Sequence, residues 1–109
     1  MTETMEKCIA NCTECANICV VTITHCLQKG GKHAAAEHVR KLQDCAELCR
    51  LSASAMLRES ELHKKICGVC AEACHACAES CEEFTGDSQM EKCAEVCRRT
   101  AESCREMSK

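Results

Sequence analysis

Apolar and thiol-bearing positions recur along this chain in steps of three and four, strictly alternating, over four segments. The first carries Met5, Cys8, Cys12, Cys15, Cys19, Thr22 and Cys26. The second carries His38, Leu42, Cys45, Cys49, Ser52 and Met56. The third carries His63, Cys67, Cys70, Cys74, Cys77, Cys81 and Phe84. The fourth carries Met90, Cys93, Cys97, Thr100, Cys104 and Met107. This alternation averages about 3.5 residues, the repeat that keeps one helix face against its neighbours in a bundle crossed at about 20°. The positions between are largely Glu, Lys, Arg, Ala, Thr and Ser, as a flanking or solvated face requires.

Two glycine-based breaks divide the pattern. Gly30-Gly31 separates residues near 3–29 from those near 32–58, and Thr85-Gly86-Asp87 separates those near 61–84 from those near 87–107. Gly68 lies inside a helical pattern and only weakens it. With these breaks alone, one helix would run about 53 residues and about 80 Å, too long for a domain of this size. A third turn is therefore assigned to Leu57-Arg-Glu-Ser-Glu61, with Ser60 as N-cap. The prediction is one all-α domain over 1–109. Its architecture is an antiparallel up-down-up-down four-helix bundle with a Cys-lined core.

Composition explains what fills that core. The 109 residues include 15 Cys, one Phe, and no Pro, Trp or Tyr, with a net charge of −3. Leu, Ile, Val and Phe together make up about 15% of the chain, a share that reads as disorder when net charge is high. Here the charge is small and the text periodic, so Cys must supply the interior. The composition excludes a β-sandwich or barrel. No apolar run approaches about 18 residues, which argues against a membrane span. The mild acidity and lack of stacking aromatics disfavour nucleic-acid binding. The N-terminus, Met1-Thr-Glu-Thr-Met-Glu-Lys-Cys8, has neither a basic nor an apolar signal region, which predicts a cytoplasmic location. Thiols stay reduced there, and a Cys pattern points to metal or redox chemistry. An odd number of Cys also cannot pair fully within one chain.

Four readings of the thiols compete. Free Cys buries well as a small apolar residue, but each buried CH₂ contributes about 0.8 kcal/mol, and Leu would hold such a core better. In a disulfide store, bridges within one helix are strained. Cβ atoms three or four residues apart lie about 5–6 Å from each other, and a disulfide needs about 3.5–4.5 Å. An iron–sulfur site is suggested by Cys67-Gly-Val-Cys70-Ala-Glu-Ala-Cys74-His-Ala-Cys77, yet the run is helical and lacks the Cys-Pro ending. No Cys-x-x-Cys-His haem signature occurs. The remaining reading is metal–thiolate binding. With metal–sulfur bonds near 2.3 Å, a linear S–M–S unit spans about 4.6 Å, within reach of same-helix pairs after modest χ1 adjustment.

Charge selects the ion. Bare thiolates cannot gather in an apolar core. A monovalent ion bridging two sulfurs, with each sulfur bridging two ions, keeps the core neutral at one metal per thiolate. A divalent ion with four thiolates leaves −2 per site. Soft thiolates select Cu(I), whereas structural zinc favours separated tetrahedral sites. The candidate ligands are all fifteen stripe cysteines: Cys8, Cys12, Cys15, Cys19, Cys26, Cys45, Cys49, Cys67, Cys70, Cys74, Cys77, Cys81, Cys93, Cys97 and Cys104.

Antiparallel alternation makes the two ends differ. Cys8, Met56, His63 and Cys104 meet at one end, with Met5 and Met107 one step outward. Met5, Met56, His63 and Met107 are the candidate metal-uptake mouth, because thioether and imidazole hold Cu(I) more loosely than paired thiolates. Met at a bundle end also serves as plain gap filler. Cys26, His38, Leu42, Phe84 and Met90 meet at the other end, where Leu42 and Phe84 form an apolar plug and His38 and Met90 are candidate far-end ligands. His25, His33 and His75 are expected on the surface.

The segments Cys8-Ile-Ala-Asn-Cys-Thr-Glu-Cys-Ala-Asn-Ile-Cys19, Cys67-Gly-Val-Cys-Ala-Glu-Ala-Cys-His-Ala-Cys-Ala-Glu-Ser-Cys81 and Cys93-Ala-Glu-Val-Cys97 resemble the bacterial copper storage proteins of the cytosolic type. The resemblance covers nearly the whole chain. It implies a four-helix bundle holding many Cu(I) ions along its interior, largely on pairs within one helix, and a homotetramer. Leu42, Ser52 and Thr100 stand on stripe positions where relatives can carry Cys, and Phe84 stands where a polar residue or His is expected, which implies a lower capacity here. The resulting expectation is a cytoplasmic Cu(I) reservoir, not an enzyme, supplied by a copper chaperone or small thiol. The alternative is a thiol redox or zinc-buffering protein. A His beside a Cys, as at His25-Cys26 or Cys74-His75, lacks the third orienting group of a catalytic arrangement.

Overall fold

The computed structural model describes all 109 residues. Four helices carry the chain: α1 (Glu3–Lys29), α2 (Ala36–Leu57), α3 (His63–Glu82) and α4 (Ser88–Met107), with a single 3-10 turn at Gly31–Ala34 between α1 and α2. Each begins or ends for a local reason. Thr2 Oγ1 accepts from the Met5 N–H at 3.1 Å and starts α1, and Gly30, at φ 74°, ends it with its N–H on the Cys26 carbonyl. Asp87 Oδ1 accepts from the N–H groups of Gln89 and Met90 and starts α4.

Two boundaries depart from expectation. Residues near 32–35 do not join α2, because Gly30 and Gly31 both take positive φ and the chain then makes a 3-10 turn before Ala35 extends. Ser60 does not cap α3. Its hydroxyl accepts from Leu62 N–H at 3.1 Å inside the turn, and the helix starts at His63 with no side-chain cap. Glu59, at φ 52°, makes the reversal that Gly makes elsewhere.

Cross-helix contacts show how the helices run. Cys8 and Cys12 meet Cys104, Cys15 meets Cys97, and Cys26 meets Met90, so α1 and α4 are antiparallel. His38 meets Ser80, Cys45 meets Cys74, and Cys49 meets Cys70, so α2 and α3 are antiparallel too. Cys26 against His38 and Cys15 against Cys45 relate α1 to α2 in the same sense. Each helix packs against its chain neighbours, α4 closes against α1, and the backbones of diagonal partners stay apart. The result is a slim square bundle of 42 × 21 × 18 Å.

The stripes face the axis. Every stripe residue is buried except Met5, His63, Phe84 and Met107, which terminate the stripes and are half-buried. Three stripe positions interrupt the thiols with hydroxyls. Thr22 and Thr100 donate to the carbonyls of Ile18 at 2.7 Å and Val96 at 2.8 Å on their own helices, and each also bonds across to the α1–α4 partner, Thr22 accepting from Gln89 Nε2 and Thr100 reaching the Asn11 carbonyl. The Ser52 hydroxyl is buried without a partner. An unpaired buried hydroxyl costs about 1–3 kcal/mol, so Ser52→Ala is expected to leave stability unchanged or raise it by about 1 kcal/mol in urea unfolding. Leu42→Ala, at a wholly buried site, is expected to lower it by about 2–5 kcal/mol.

Candidate metal centre

All fifteen cysteines are free thiols at zero exposure. Their sulfurs form a ladder along the bundle axis. Cys8, Cys12 and Cys104 form one cluster, and Cys12 also belongs to the next, with Cys49 and Cys70. Cys15, Cys45, Cys49 and Cys74 continue it, followed by Cys15, Cys19, Cys45 and Cys97, and then Cys19, Cys77, Cys93 and Cys97. Within each cluster the sulfurs lie within 4.8 Å of one another. Shared members make the ladder continuous.

The shortest contacts run between helices: 3.4 Å for Cys12–Cys104, 3.5 Å for Cys49–Cys74, and 3.6 Å each for Cys45–Cys74, Cys49–Cys70 and Cys77–Cys97. Within one helix, Cys70–Cys74 stand 3.9 Å apart and Cys93–Cys97 4.0 Å. A disulfide bond is about 2.05 Å, so these are packed thiols. With bonds near 2.3 Å, three sulfurs around one ion stand about 4.0 Å apart and two in line about 4.6 Å. The same-helix pairs already stand near the three-sulfur spacing, and only the closest inter-helix pairs are tighter, by a few tenths of an ångström.

Protonation follows from burial and mutual hydrogen bonding. The Cys15 thiol is held below its ordinary range, first by the hydrogen bond with Cys19 and then by Cys45 and Cys49. The Cys19 and Cys45 thiols are pushed above it, first by their bonds with Cys15. One thiolate is stabilised by the S–H groups around it, while its neighbours hold their protons more firmly.

Cys26 stands apart. Its sulfur lies 3.4 Å from His38 Nε2 and 3.6 Å from Met90 Sδ. Burial first, then the charge of Asp87, pushes its thiol up to about 11. His38 meets Ser80 Oγ through Nδ1 at 2.6 Å, and burial lowers its tendency to protonate. The Phe84 ring packs on His38 with centroids 4.8 Å apart, and Leu42 is wholly buried. Of the sequence-predicted far-end set, Cys26, His38, Phe84 and Met90 are thus brought together, with Leu42 one turn along the stripe from His38.

At the opposite end Met56 is wholly buried, and Met5 and Met107 pack against the core half-exposed. His63 Nδ1 donates to the Ser60 carbonyl at 2.9 Å, which leaves Nε2 as the lone-pair nitrogen of the neutral ring.

His75 is exposed, as expected, between Glu79 and Arg98. His25 and His33 correct the surface expectation. Both are half-buried, with Nε2 on Asp87 Oδ2 at 2.8 Å and 2.9 Å, and His33 stacks on Phe84 with centroids 4.2 Å apart. These bonds, His25 first, hold the Asp87 carboxyl well below the usual carboxylate range. The partner lies 62 and 54 residues away in sequence, so no local spacing announces it.

A bundle whose axis is a continuous run of reduced thiols is a multi-site, soft-metal-binding protein. The model of the copper storage protein family matches residues 1–109, and the chain belongs to that family. It is similar to the crystal structure of the Nmul_A1745 protein from Nitrosospira multiformis, with 44% identity and a TM-score of 0.93 over 99% of this chain and 97% of that one. It is similar to the Cu(I)-bound copper storage protein Csp3 of Bacillus subtilis, at 34% identity and a TM-score of 0.90 over 98% and 100% of the two chains. A cytosolic copper storage protein from Streptomyces lividans carrying five coppers is 28% identical, with a TM-score of 0.90 over 97% and 92%.

Complete burial controls thiol chemistry as well as metal access. In the native, metal-free, reduced protein, iodoacetamide should modify the cysteines only as fast as the bundle opens. In denaturant all fifteen should react promptly. Mass spectrometry over time checks both, and rapid native labelling of mid-ladder Cys45 or Cys74 would contradict the burial.

Proposed function

We propose that this chain stores and buffers multiple Cu(I) ions in the cytoplasm on the fifteen thiols of its axis, without catalysing a reaction. One observation carries the reading: every Cys is buried, unpaired and part of, or directly beyond, one sulfur ladder. Each Cu(I) that replaces a thiol proton leaves the core neutral, so ions can be added along the whole ladder without accumulating charge. The one Cys–His contact with an orienting partner, Cys26–His38–Ser80, has its sulfur wholly buried and its thiol pushed up by burial, which works against a nucleophilic role. The cytosolic Streptomyces relative supports the location, and no helix is long and apolar enough to cross a membrane.

A homotetramer is part of this proposal. The outer face of α2 and α3 presents an apolar groove lined by Leu48, Leu51, Leu62, Lys65, Ile66 and Val69. Contiguous exposed apolar surface of this kind marks association sites. A copper chaperone or a small thiol would deliver the ion.

The deciding measurement is an anaerobic Cu(I) titration of the reduced protein against a chromogenic competitor, repeated with Zn(II). Storage predicts on the order of one Cu(I) per Cys and about one proton released per ion. Cu(I) competes with protons for these sulfurs, so apparent affinity should fall as pH falls. A plateau at one or two ions, or equal avidity for Zn(II), would overturn the reading.

Uptake is assigned to the Met5/Met56/His63/Met107 mouth, where soft donors step from half-exposed to buried toward Cys8 and Cys104. The combined Met5→Leu, Met56→Leu and Met107→Leu variant should take up Cu(I) more slowly in stopped-flow competition, with capacity nearly intact. Unchanged rates, or slowing by His38→Ala instead, would place uptake at the other end.

A further inference from the structure

The far end of the bundle carries a second donor cluster that the thiol ladder does not use. Asp87 is fixed by the start of α4, whose backbone N–H groups occupy its Oδ1 at 3.1 Å and 3.3 Å. Its Oδ2 points at two imidazoles, His25 Nε2 at 2.8 Å and His33 Nε2 at 2.9 Å. The three residues come from the last turns of α1, the 3-10 turn and the α3–α4 connection. Their side chains are 27%, 21% and 15% exposed, so an ion can reach them from solvent without the bundle opening.

We propose that His25, His33 and Asp87 form a site for one divalent borderline cation that takes right-angled coordination, of the Ni(II) or Cu(II) class, separate from the Cu(I) ladder. The geometry fits. Metal–nitrogen and metal–oxygen bonds near 2.0–2.2 Å place adjacent ligands of a right-angled site about 2.8–3.1 Å apart. Both N···O separations lie within that span. Two imidazoles and one carboxylate on one face are a donor set for borderline divalent ions, whereas Cu(I) is drawn to the thiols. Binding replaces two N–H···O contacts. With its N–H on Nδ1, each ring offers an Nε2 lone pair, so the ion gains two nitrogens and the carboxylate oxygen. The remaining coordination positions face water.

The donor set is distinct from the sulfurs, and Phe84 packs on an imidazole of each, His33 at 4.2 Å and His38 at 4.8 Å between centroids. The His25 and His33 rings meet edge to face at 5.8 Å, and both Nε2 atoms converge on the one Asp87 oxygen. An ion held there would tie three chain segments together at the end of the bundle opposite the Met mouth.

Co(II) is the probe, because its spectrum reports its ligands. Cu(I)-loaded protein is expected to bind one equivalent with d–d bands and no sulfur-to-cobalt charge transfer. In loaded and metal-free reduced protein alike, the NMR ring signals of His25 and His33 should broaden while those of His75 stay sharp. That residue-specific signal does not depend on Cu(I) loading, so failure here and failure of the storage reading are distinguishable. His25→Gln, His33→Gln and Asp87→Asn should each weaken this binding at least as much as loss of an outer-sphere partner does, about 10–100-fold. His75→Gln should leave it unchanged. Asn caps a helix as well as Asp, so Asp87→Asn keeps α4, and far-UV circular dichroism confirms the fold of each variant. The inference is overturned if Co(II) binds only with sulfur charge transfer, if the His25 and His33 signals do not respond, or if the variants bind like the parent.

Discussion

Sulfur must reach sulfur across the axis of the bundle, and the rest of the structure follows from that requirement. A Cys side chain is one of the shortest that carries a donor, while packed helix axes normally stand 8–10 Å apart. Thiols from several helices therefore meet only if the seams between helices are narrow. The residue after a stripe position supplies that narrowness. Ala16, Ala46, Ala71, Ala78 and Ala94 follow cysteines, Ala53 follows Ser52 and Ala101 follows Thr100, and all seven are buried at 7% exposure or less. One residue of each Cys-Ala pair brings the sulfur and the next sets how close the neighbouring helix can come. Longer side chains at those seams would pad the helices apart and open the sulfur contacts.

Convergence creates a charge problem that protons solve first and monovalent ions solve second. As thiols the fifteen groups are neutral and pack as a small-residue core. As thiolates without ions they would be untenable. Because the clusters share Cys12, Cys15, Cys19, Cys45, Cys49 and Cys97, each ion added beside an occupied site finds a sulfur already ionised and adds only one more. The interruptions respect the same rule. Thr22 and Thr100 turn their hydroxyls to backbone carbonyls, so their polar atoms are paired without calling on the sulfurs. Beyond Thr22 and Leu42, Cys26 falls out of the thiol ladder and into contact with His38 and Met90.

Much of this was legible in the sequence because a 3–4 alternation of one residue type encodes both a helix and its buried face. All fifteen cysteines lie where that spacing puts them, α1 runs over the residues read for it, and Met5, His63, Phe84 and Met107 end their stripes half-buried. What was hidden depends on partners far along the chain or on backbone geometry. Ser60 has the chemistry of a cap, yet Glu59 takes a positive φ and moves the helix start two residues beyond the expected position. His25 and His33 sit off the stripes and looked solvated, since only the folded chain brings Asp87 to them. The Ala positions were read as a flanking face, because nothing in periodicity alone separates a seam from a surface.

The two ends of the bundle are secured differently, and this bears on how an ion enters a sealed core. At the far end, Asp87 of the α3–α4 connection holds His25 of α1 and His33 of the 3-10 turn, and Phe84 packs on both His33 and His38. Opening that end means breaking several contacts together. At the Met end, α3 begins without a side-chain cap, with no acidic residue in its first turn and with Lys64 and Lys65 at the positive pole of its dipole. Cations there oppose the helix field, so this first turn is the least secured of the four helix starts. Local opening costs least where contacts are fewest. That end also holds Met5, Met107 and the free Nε2 of His63, soft donors able to follow an ion as the turn loosens. Mechanical weakness and suitable chemistry thus coincide at one end of the molecule, and this coincidence is the physical argument for passing Cu(I) inward there.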